Sequence, residues 1–325
     1  PDSRKMMALR ADMTPQVARI ATVRLAKSPR PLRLSYAGQI LRVRGSQLRP
    51  ERQFTQAGAE LIGADGAAAD AEVIVMAVAA LGHLGVSDLS CDLGLPTLVP
   101  DFCRGGPAGE GGDADLQTRL RQALDRKDAA AIAEFSDELG EDTTGPLAAM
   151  LAAAGPASGT LKTLGSLGLK GAAQAGMKLL NDVVDRVKAA LPGLTLTIDP
   201  VENRGFEYHS GVTFTFFAKG VRGELGNGGR YQANGGAGSN SEPATGFTLF
   251  MDTVLRAVPA PELRSRVFLP IQTTAEDAAG LRAEGWITVA GLEECGDGEA
   301  EAARVGCSHV LDGGKVRKIN KSNKE

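Results

Sequence analysis

Two runs of alternating apolar and polar residues, 33–43 and 53–63, face each other across a short charged segment, and no other feature constrains the fold as much. Alternation with period two marks a half-buried strand, so the stretch reads as strand, charged loop, strand: the two arms of an antiparallel pair. Along the second arm Phe54, Gln56, Gly58 and Glu60 share one face, while Ala57, Ala59 and Leu61 share the other. An amide and a carboxylate therefore stand on one surface, and Gly58 between them leaves room above the backbone. On the first arm Arg42 and Arg44 share a face. A guanidinium takes a carboxylate bidentately and a Glu accepts from an ammonium, so a surface with Arg at one end and Glu at the other suits a zwitterion such as a free amino acid. Taken alone, the same pattern also describes the solvated face of a sheet.

At 325 residues the chain allows two or three domains and a large core, and 43% apolar with 23% charged residues is an ordinary globular make-up. A formal net charge of -3 gives no general attraction for polyanions, which counts against nucleic acid as the main partner. The chain has no run of eighteen apolar residues and no signal-peptide pattern, so a cytoplasmic protein without a membrane partner is expected. Cys91, Cys103, Cys295 and Cys307 form no CxxC pair; neither a metal site nor a disulfide framework is expected, and no cofactor is implied. The chain opens at Pro1, without Met and close to its first motif, so an N-terminal part is expected to be absent.

In chain order, a short strand and a turn lead to a helix with Thr14 as its cap, Pro15 at its first position, and Val17, Ile20, Ala21 and Leu25 on one side. Residues 69–84 repeat apolar side chains at helical spacing, and 89–93 form a short strand. A Gly-rich, acidic connection at 102–115 precedes helices at 116–126, 128–139 and 146–154, read together as a small insertion. A long helix covers 174–191 and ends at Pro192 and Gly193. Strands are expected at 194–199 and from Val212 to Phe216; residues 225–238, rich in Gly and without GK[ST], read by pattern as a loop. Residues 244–256 run from strand into helix, 266–311 form a small alternating unit, and 315–324 form a basic, frayed end.

Several of these stretches resemble the class II aminoacyl-tRNA synthetase core. Arg52, Gln53, Phe54, Gln56, Gly58 and Glu60 are similar to motif 2 of histidyl-tRNA synthetases, which binds amino acid and ATP. The segment with Asp12 and Thr14 resembles their Leu-Arg-Pro-Glu-Gly-Thr stretch, whose acid and Thr contact the amino group of histidine. Residues 204–209 resemble Arg-Gly-Leu-Asp-Tyr-Tyr: the resemblance sets Arg204 against the carboxylate and places Tyr208 and His209 where two Tyr line the imidazole pocket. On pattern alone, Tyr208 and His209 are an aromatic pair at a strand edge. Residues 228–231 match Gly-Gly-Arg-Tyr, a strand end in that family. Two positions depart: Arg44 replaces the Glu that holds the adenine end of ATP, and Thr253 replaces the motif 3 Arg set on the γ-phosphate. A hydroxyl cannot supply the fixed charge of a guanidinium, so these departures imply no aminoacylation.

The Asp-Met-Thr form at residues 12–14 is similar to the regulatory subunits of ATP phosphoribosyltransferase, synthetase paralogues, and that is the family the whole pattern resembles best. The resemblance implies an α+β fold: a class II synthetase-like antiparallel sheet flanked by helices, with a helical insertion and a small C-terminal α/β remnant. It implies core segments at 1–103 and 166–260, a linker and insertion at 104–165, and a small unit with a basic tail at 261–325. The implied function is that of a non-catalytic subunit, needed by the short catalytic subunit in the first step of histidine biosynthesis and involved in histidine feedback. Its partners would be that catalytic subunit, L-histidine and further copies of itself. The implied histidine-binding residues are Asp12, Thr14, Arg42, Gln56, Glu60, Arg204, Tyr208 and His209. The alternative is a divergent histidyl-tRNA synthetase, an enzyme.

Overall fold

The computed structural model describes residues 8–43, 52–109, 111–202, 208–234, 241–260 and 264–319, so Arg44 and Arg204 lie outside the described residues. The chain divides into two compact units, Pro1–Pro259 and Ala260–Glu325.

The first unit is built on an eight-stranded sheet. Helix α1, Thr14–Arg19, runs on into a wider turn at Ile20–Arg24. Strands β1, Leu32–Leu41, and β2, Gln53–Ile62, form the expected antiparallel pair in unbroken register, with Tyr36 opposite Gly58 and Leu34 opposite Glu60. Helix α2, Ala67–His83, and strand β3, Leu89–Gly94, follow. Next come α3, Leu98–Phe102, α4, Ala114–Asp125, α5, Ala129–Glu134, α6, Ser136–Leu139, and α7, Glu141–Ala152. Asp113 and Asp128 cap α4 and α5 by accepting from the free first-turn amides. Strand β4, Gly155–Pro156, ties the end of this helical segment to the edge of the sheet. Helices α8, Ala157–Ser166, and α9, Gly171–Ala190, precede strands β5, Thr195–Asp199, β6, His209–Ala218, β7, Gly226–Ala233, and β8, Glu242–Phe250, with α10, Met251–Ala257, closing the unit.

The strand order is β1-β2-β8-β7-β6-β3-β5-β4, antiparallel except where β3 and β5 run parallel. One face packs on helices. Leu61, Leu93, Phe214, Phe216, Phe247 and Leu249 turn that way and join Val73, Ile74, Ala77 and Leu81 of α2 and Leu180, Val184 and Val187 of α9 in one core. Each such side chain contributes about 1.5–3 kcal/mol on burial, so this side carries the stability and leaves the other free for polar groups. The insertion's Leu116, Leu120, Ile132, Leu147 and Met150 belong to the same core.

Several local expectations are corrected. Thr14 does not cap α1: Met13 precedes the helix, and the Thr14 side chain makes no cap bond because it turns toward the sheet. Ile20 is 41% exposed rather than part of the helix's inner stripe. Residues 8–11 carry no strand. Helix α7 begins at Glu141, before Pro146, and α8 was not expected. Of the Gly-rich stretch read by pattern as a loop, Gly226–Ala233 is β7, a central strand, because β6 and β8 hydrogen-bond it on both sides, and residues 235–238 lie outside the described residues. Of the expected frayed end at 315–324, Lys315–Lys318 form a strand, and residues 320–324 lie outside the described residues.

The second unit holds β9, Arg266–Leu269, α11, Ala275–Ala283, β10, Ile287–Ala290, α12, Gly298–Arg304, β11, His309–Asp312, and β12, Lys315–Lys318, in sheet order β10-β9-β11-β12. Its core is small: Phe268, Ala302, Cys307, Val310 and Ile319. Among the described residues no helix is long and apolar enough to cross a membrane.

Candidate functional site

Register places the site. Residues paired across neighbouring strands share a face. Thr213, Gly229, Gly246 and Glu60 therefore form one row, and Thr215, Asn227, Thr248, Gly58 and Tyr36 form the next. These polar rows lie on the face away from α2 and α9, the face on which α1 packs, and floor a cavity of about 750 Å³. Asp12, Thr14, Arg42, Gln56, Glu60, Tyr208 and His209 all line it; the volume is in the range of small-molecule sites. A second cavity of about 320 Å³, lined by Leu95, Val99, Leu120, Leu124 and Val201 among others, holds none of the expected binding residues.

The floor is a hydroxyl network around one carboxylate. Glu60, 2% exposed, accepts from the Thr14 hydroxyl at Oε1 (3.1 Å) and from the Tyr231 hydroxyl at Oε2 (2.9 Å). Tyr36 lies 3.1 Å from Thr14 Oγ1 and 2.6 Å from Thr248 Oγ1, extending the chain of hydroxyls across β8. Burial pushes the Glu60 carboxyl up to about 7, against the pull of its hydrogen bonds. Burial likewise pushes the Tyr36 and Tyr231 phenols up, and the Glu60 charge adds to it, so both are neutral hydroxyl donors across the physiological range.

Gln56 takes a structural part as well: its Oε1 accepts from the Met13 backbone N–H at 3.0 Å and holds the segment before α1 over the sheet. That segment is further set by Asp12, which accepts from the Thr14 N–H at 3.2 Å. At the other end of the cavity Arg42, exposed, stacks over the Phe54 ring at 4.8 Å and lies 6.0 Å from the Phe250 ring. Tyr208 stacks on His209 at 4.3 Å and meets Tyr231 edge-on at 6.0 Å.

Two expectations about this face change. The room above Gly58 is not open to a ligand: a Cβ there would meet the Phe247 carbonyl and the Tyr36 hydroxyl, so the glycine admits Tyr36 to the floor. Tyr36, Tyr231, Gly246 and Thr248 were missed as site residues. Alternation along β1 and pairing of Tyr36 with Gly58 was a signal for the first; the others needed the register of β7 and β8.

Of the two departures from a nucleotide-binding site, Arg44 lies outside the described residues. Thr253 is fully buried in the first turn of α10, accepts from Arg256 Nη2 at 3.1 Å, and does not line the cavity. The cavity joins a cation (Arg42), acids (Asp12 and Glu60) and neutral donors, a set that can hold a small zwitterion. Among the described residues no group of His, Cys, Asp and Glu is placed to hold a metal.

Comparison with known proteins agrees with this layout. The histidyl-tRNA synthetase family profile matches residues 1–254. An ATP phosphoribosyltransferase regulatory subunit of Paramagnetospirillum magneticum is 56% identical over 312 residues, covering 96% of this chain and 79% of that protein. Among solved structures, an ATP phosphoribosyltransferase regulatory subunit/histidyl-tRNA synthetase from Bacillus halodurans superposes with a TM-score of 0.73 at 24% identity, covering 90% of this chain and 77% of the other. A chain of the ATP phosphoribosyl transferase complex from Thermotoga maritima gives a TM-score of 0.57 at 18% identity over 75% of this chain and 81% of its own. At these identities the solved structures speak to the fold, which is that of the class II synthetase core.

Proposed function

The chain belongs to the family of ATP phosphoribosyltransferase regulatory subunits on the histidyl-tRNA synthetase core, and from that premise we propose that it is a cytoplasmic, non-catalytic partner of a short catalytic subunit and responds to histidine. The observation that carries this reading is the asymmetry of the cavity. Its floor joins Glu60, Thr14 and Tyr231 by hydrogen bonds, while the motif 3 position is a buried Thr253. Adenylation gains most of its acceleration from fixed cations on the triphosphate, and a hydroxyl that does not reach the cavity supplies none.

In this reading the ligand carboxylate is taken at the cationic side of the cavity and its nitrogen donors by Asp12 and Glu60. Arg204, outside the described residues, is proposed as a second cation for the carboxylate. Tyr208 and His209 form an aromatic wall. Histidine bound there shifts the assembly between states by its difference in affinity for them, which is the only way a ligand can act on such an equilibrium.

The test is reconstitution with a short catalytic subunit. ATP phosphoribosyl transfer is expected to appear only with this chain present and to fall when L-histidine is added, with Glu60→Gln blunting the fall. Histidine-dependent exchange of pyrophosphate into ATP by the chain alone would instead make it a synthetase and end the proposal.

A further inference from the structure

Resting on the reading that the cavity takes an amino acid, we propose that Tyr231 and Gly246 are positioning residues that tie ligand binding to the ionisation of Glu60. The geometry sets both roles. Gly246 faces Glu60 across the β2 and β8 pair, and a Cβ at Gly246 would collide with Glu60 Oε2. The missing side chain is therefore the slot in which the carboxylate lies. Tyr231 reaches the same oxygen from β7 and donates to it at 2.9 Å, while Thr14 donates to the other oxygen. The described hydrogen bonds to this sunken carboxylate come from neutral hydroxyls, so a cationic group of the ligand gains from its charge.

Among the described residues, the other titratable or charged groups of the cavity are Asp12 before α1, Arg42 after β1, Glu202 after β5, Tyr208 and His209 at the start of β6, and Glu224 before β7, and Tyr36 on β1 adjoins the carboxyl beneath them. Apart from Glu60 itself, the lining residues of β2 and β8 (Gln56, Gly246, Phe247, Thr248 and Phe250) do not titrate. Burial is the main cause that raises the Glu60 carboxyl to about 7, the Tyr231 hydrogen bond is the first to oppose it, and the Asp12 charge adds to the rise. A protonated Glu60 offers no charge to an ammonium. Affinity for a cationic group therefore falls as pH drops through this midpoint, about tenfold per unit well below it. Removing the Tyr231 hydroxyl deletes a donor that favours the charged form and moves the midpoint up.

The experiment is calorimetric titration of the whole chain with L-histidine between about pH 5.5 and about pH 8.5, which spans the range where a raised carboxylate and an imidazole titrate. Wild type, Tyr231→Phe, Gly246→Ala and Glu60→Gln are compared. The ionisation of histidine itself is common to all four and cancels, and a His209→Gln variant removes the remaining imidazole of the cavity.

Wild type is expected to lose affinity on the acid side; Tyr231→Phe, which keeps its ring, should bind about tenfold more weakly near pH 7 with its profile moved to higher pH. Gly246→Ala should bind weakly with the acid limb moved down, since an expelled carboxylate returns toward its ordinary value. Glu60→Gln should bind weakly with no acid limb of its own. In parallel, carbon NMR of glutamate-labelled, ligand-free protein reads the Glu60 carboxyl directly. One resonance should titrate near neutrality in wild type, higher in Tyr231→Phe, and be missing in Glu60→Gln. The same midpoint in wild type and Tyr231→Phe, or no carboxyl titrating near neutrality, overturns the proposal. Absence of histidine heat from wild type at every pH would count against the amino-acid reading, while the carboxyl titration still decides the roles of Tyr231 and Gly246.

Discussion

The two faces of the eight-stranded sheet each bury a carboxylate and treat it in opposite ways. On the helix side Asp70 of α2, fully buried, is met by Arg230, whose Nε and Nη2 donate to it at 3.1 and 3.0 Å, while Nη1 donates to Asp65 and the Ala64 carbonyl and Nη2 also to the Gly66 carbonyl. On the cavity side Glu60 is met by hydroxyls alone among its described hydrogen bonds. The residues responsible are consecutive on β7: Arg230 turns to the helices and Tyr231 to the cavity. A charge matched by a guanidinium fastens α2 to the sheet; a charge matched by neutral donors keeps part of its electrostatic need for something that arrives later. Burial does not distinguish the two carboxylates, but the kind of partner does.

The contrast can be broken or sharpened by substitution. Arg230→Met leaves Asp70 buried without its cation and should cost about 3–5 kcal/mol in urea unfolding. A loss below about 1 kcal/mol, the scale of a surface pair, would mean that the helix-side charge is not fastened at all. Glu60→Gln should act in the other direction. The folded carboxyl holds its proton up to about 7 whereas its ordinary value is 4.5, so the folded state binds more protons in between and wild-type stability falls as pH rises across that window. The amide escapes this and should be more stable above pH 7 by on the order of 3 kcal/mol, a gain that fades toward pH 4.5. Thermal melting of both proteins over that range checks it, and equal pH slopes would remove Glu60 from the comparison. Tyr36→Phe, which deletes the hydroxyl between Thr14 and Thr248, should cost about 1 kcal/mol in denaturant unfolding. Smallest is Arg42→Ala: an exposed cation over Phe54 contributes about 0.5–1 kcal/mol, so the melting curve should hardly move while affinity for L-histidine drops.

What could be read in advance follows from how local the cause is. The β1 and β2 pair was legible because alternation is written in each strand, and it placed Phe54, Gln56 and Glu60 on one face before any coordinates. Helices α2 and α9 were legible by their apolar spacing, with ends misplaced by a few residues. Strand β7 was not legible by pattern, because its glycines satisfy no local rule for a strand, and the resemblance of residues 228–231 alone pointed to a strand end there. At Gly228 a Cβ would strike the Phe214 ring and the Gly246 carbonyl, neighbours that exist only once the sheet has assembled. The same reason hid Tyr231, Gly246 and Thr248. The role of Thr14 was misplaced for the opposite cause: capping is a strong local habit of Thr, and tertiary bonds to Glu60 and Tyr36 override it.

The pleat of β7 binds the history of the two faces together. Because Arg230 and Tyr231 are adjacent in the chain, a one-residue slip of this strand would deliver a guanidinium into the cavity and a phenol into the aliphatic core in a single event. No insertion or deletion between β6 and β8 that shifts this register can therefore be tried out at the ligand cavity while sparing the scaffold. Diversification of such a chain is confined to point substitutions on one face at a time, and the strand that looks least specified in the sequence is the one whose alignment has the least freedom to drift.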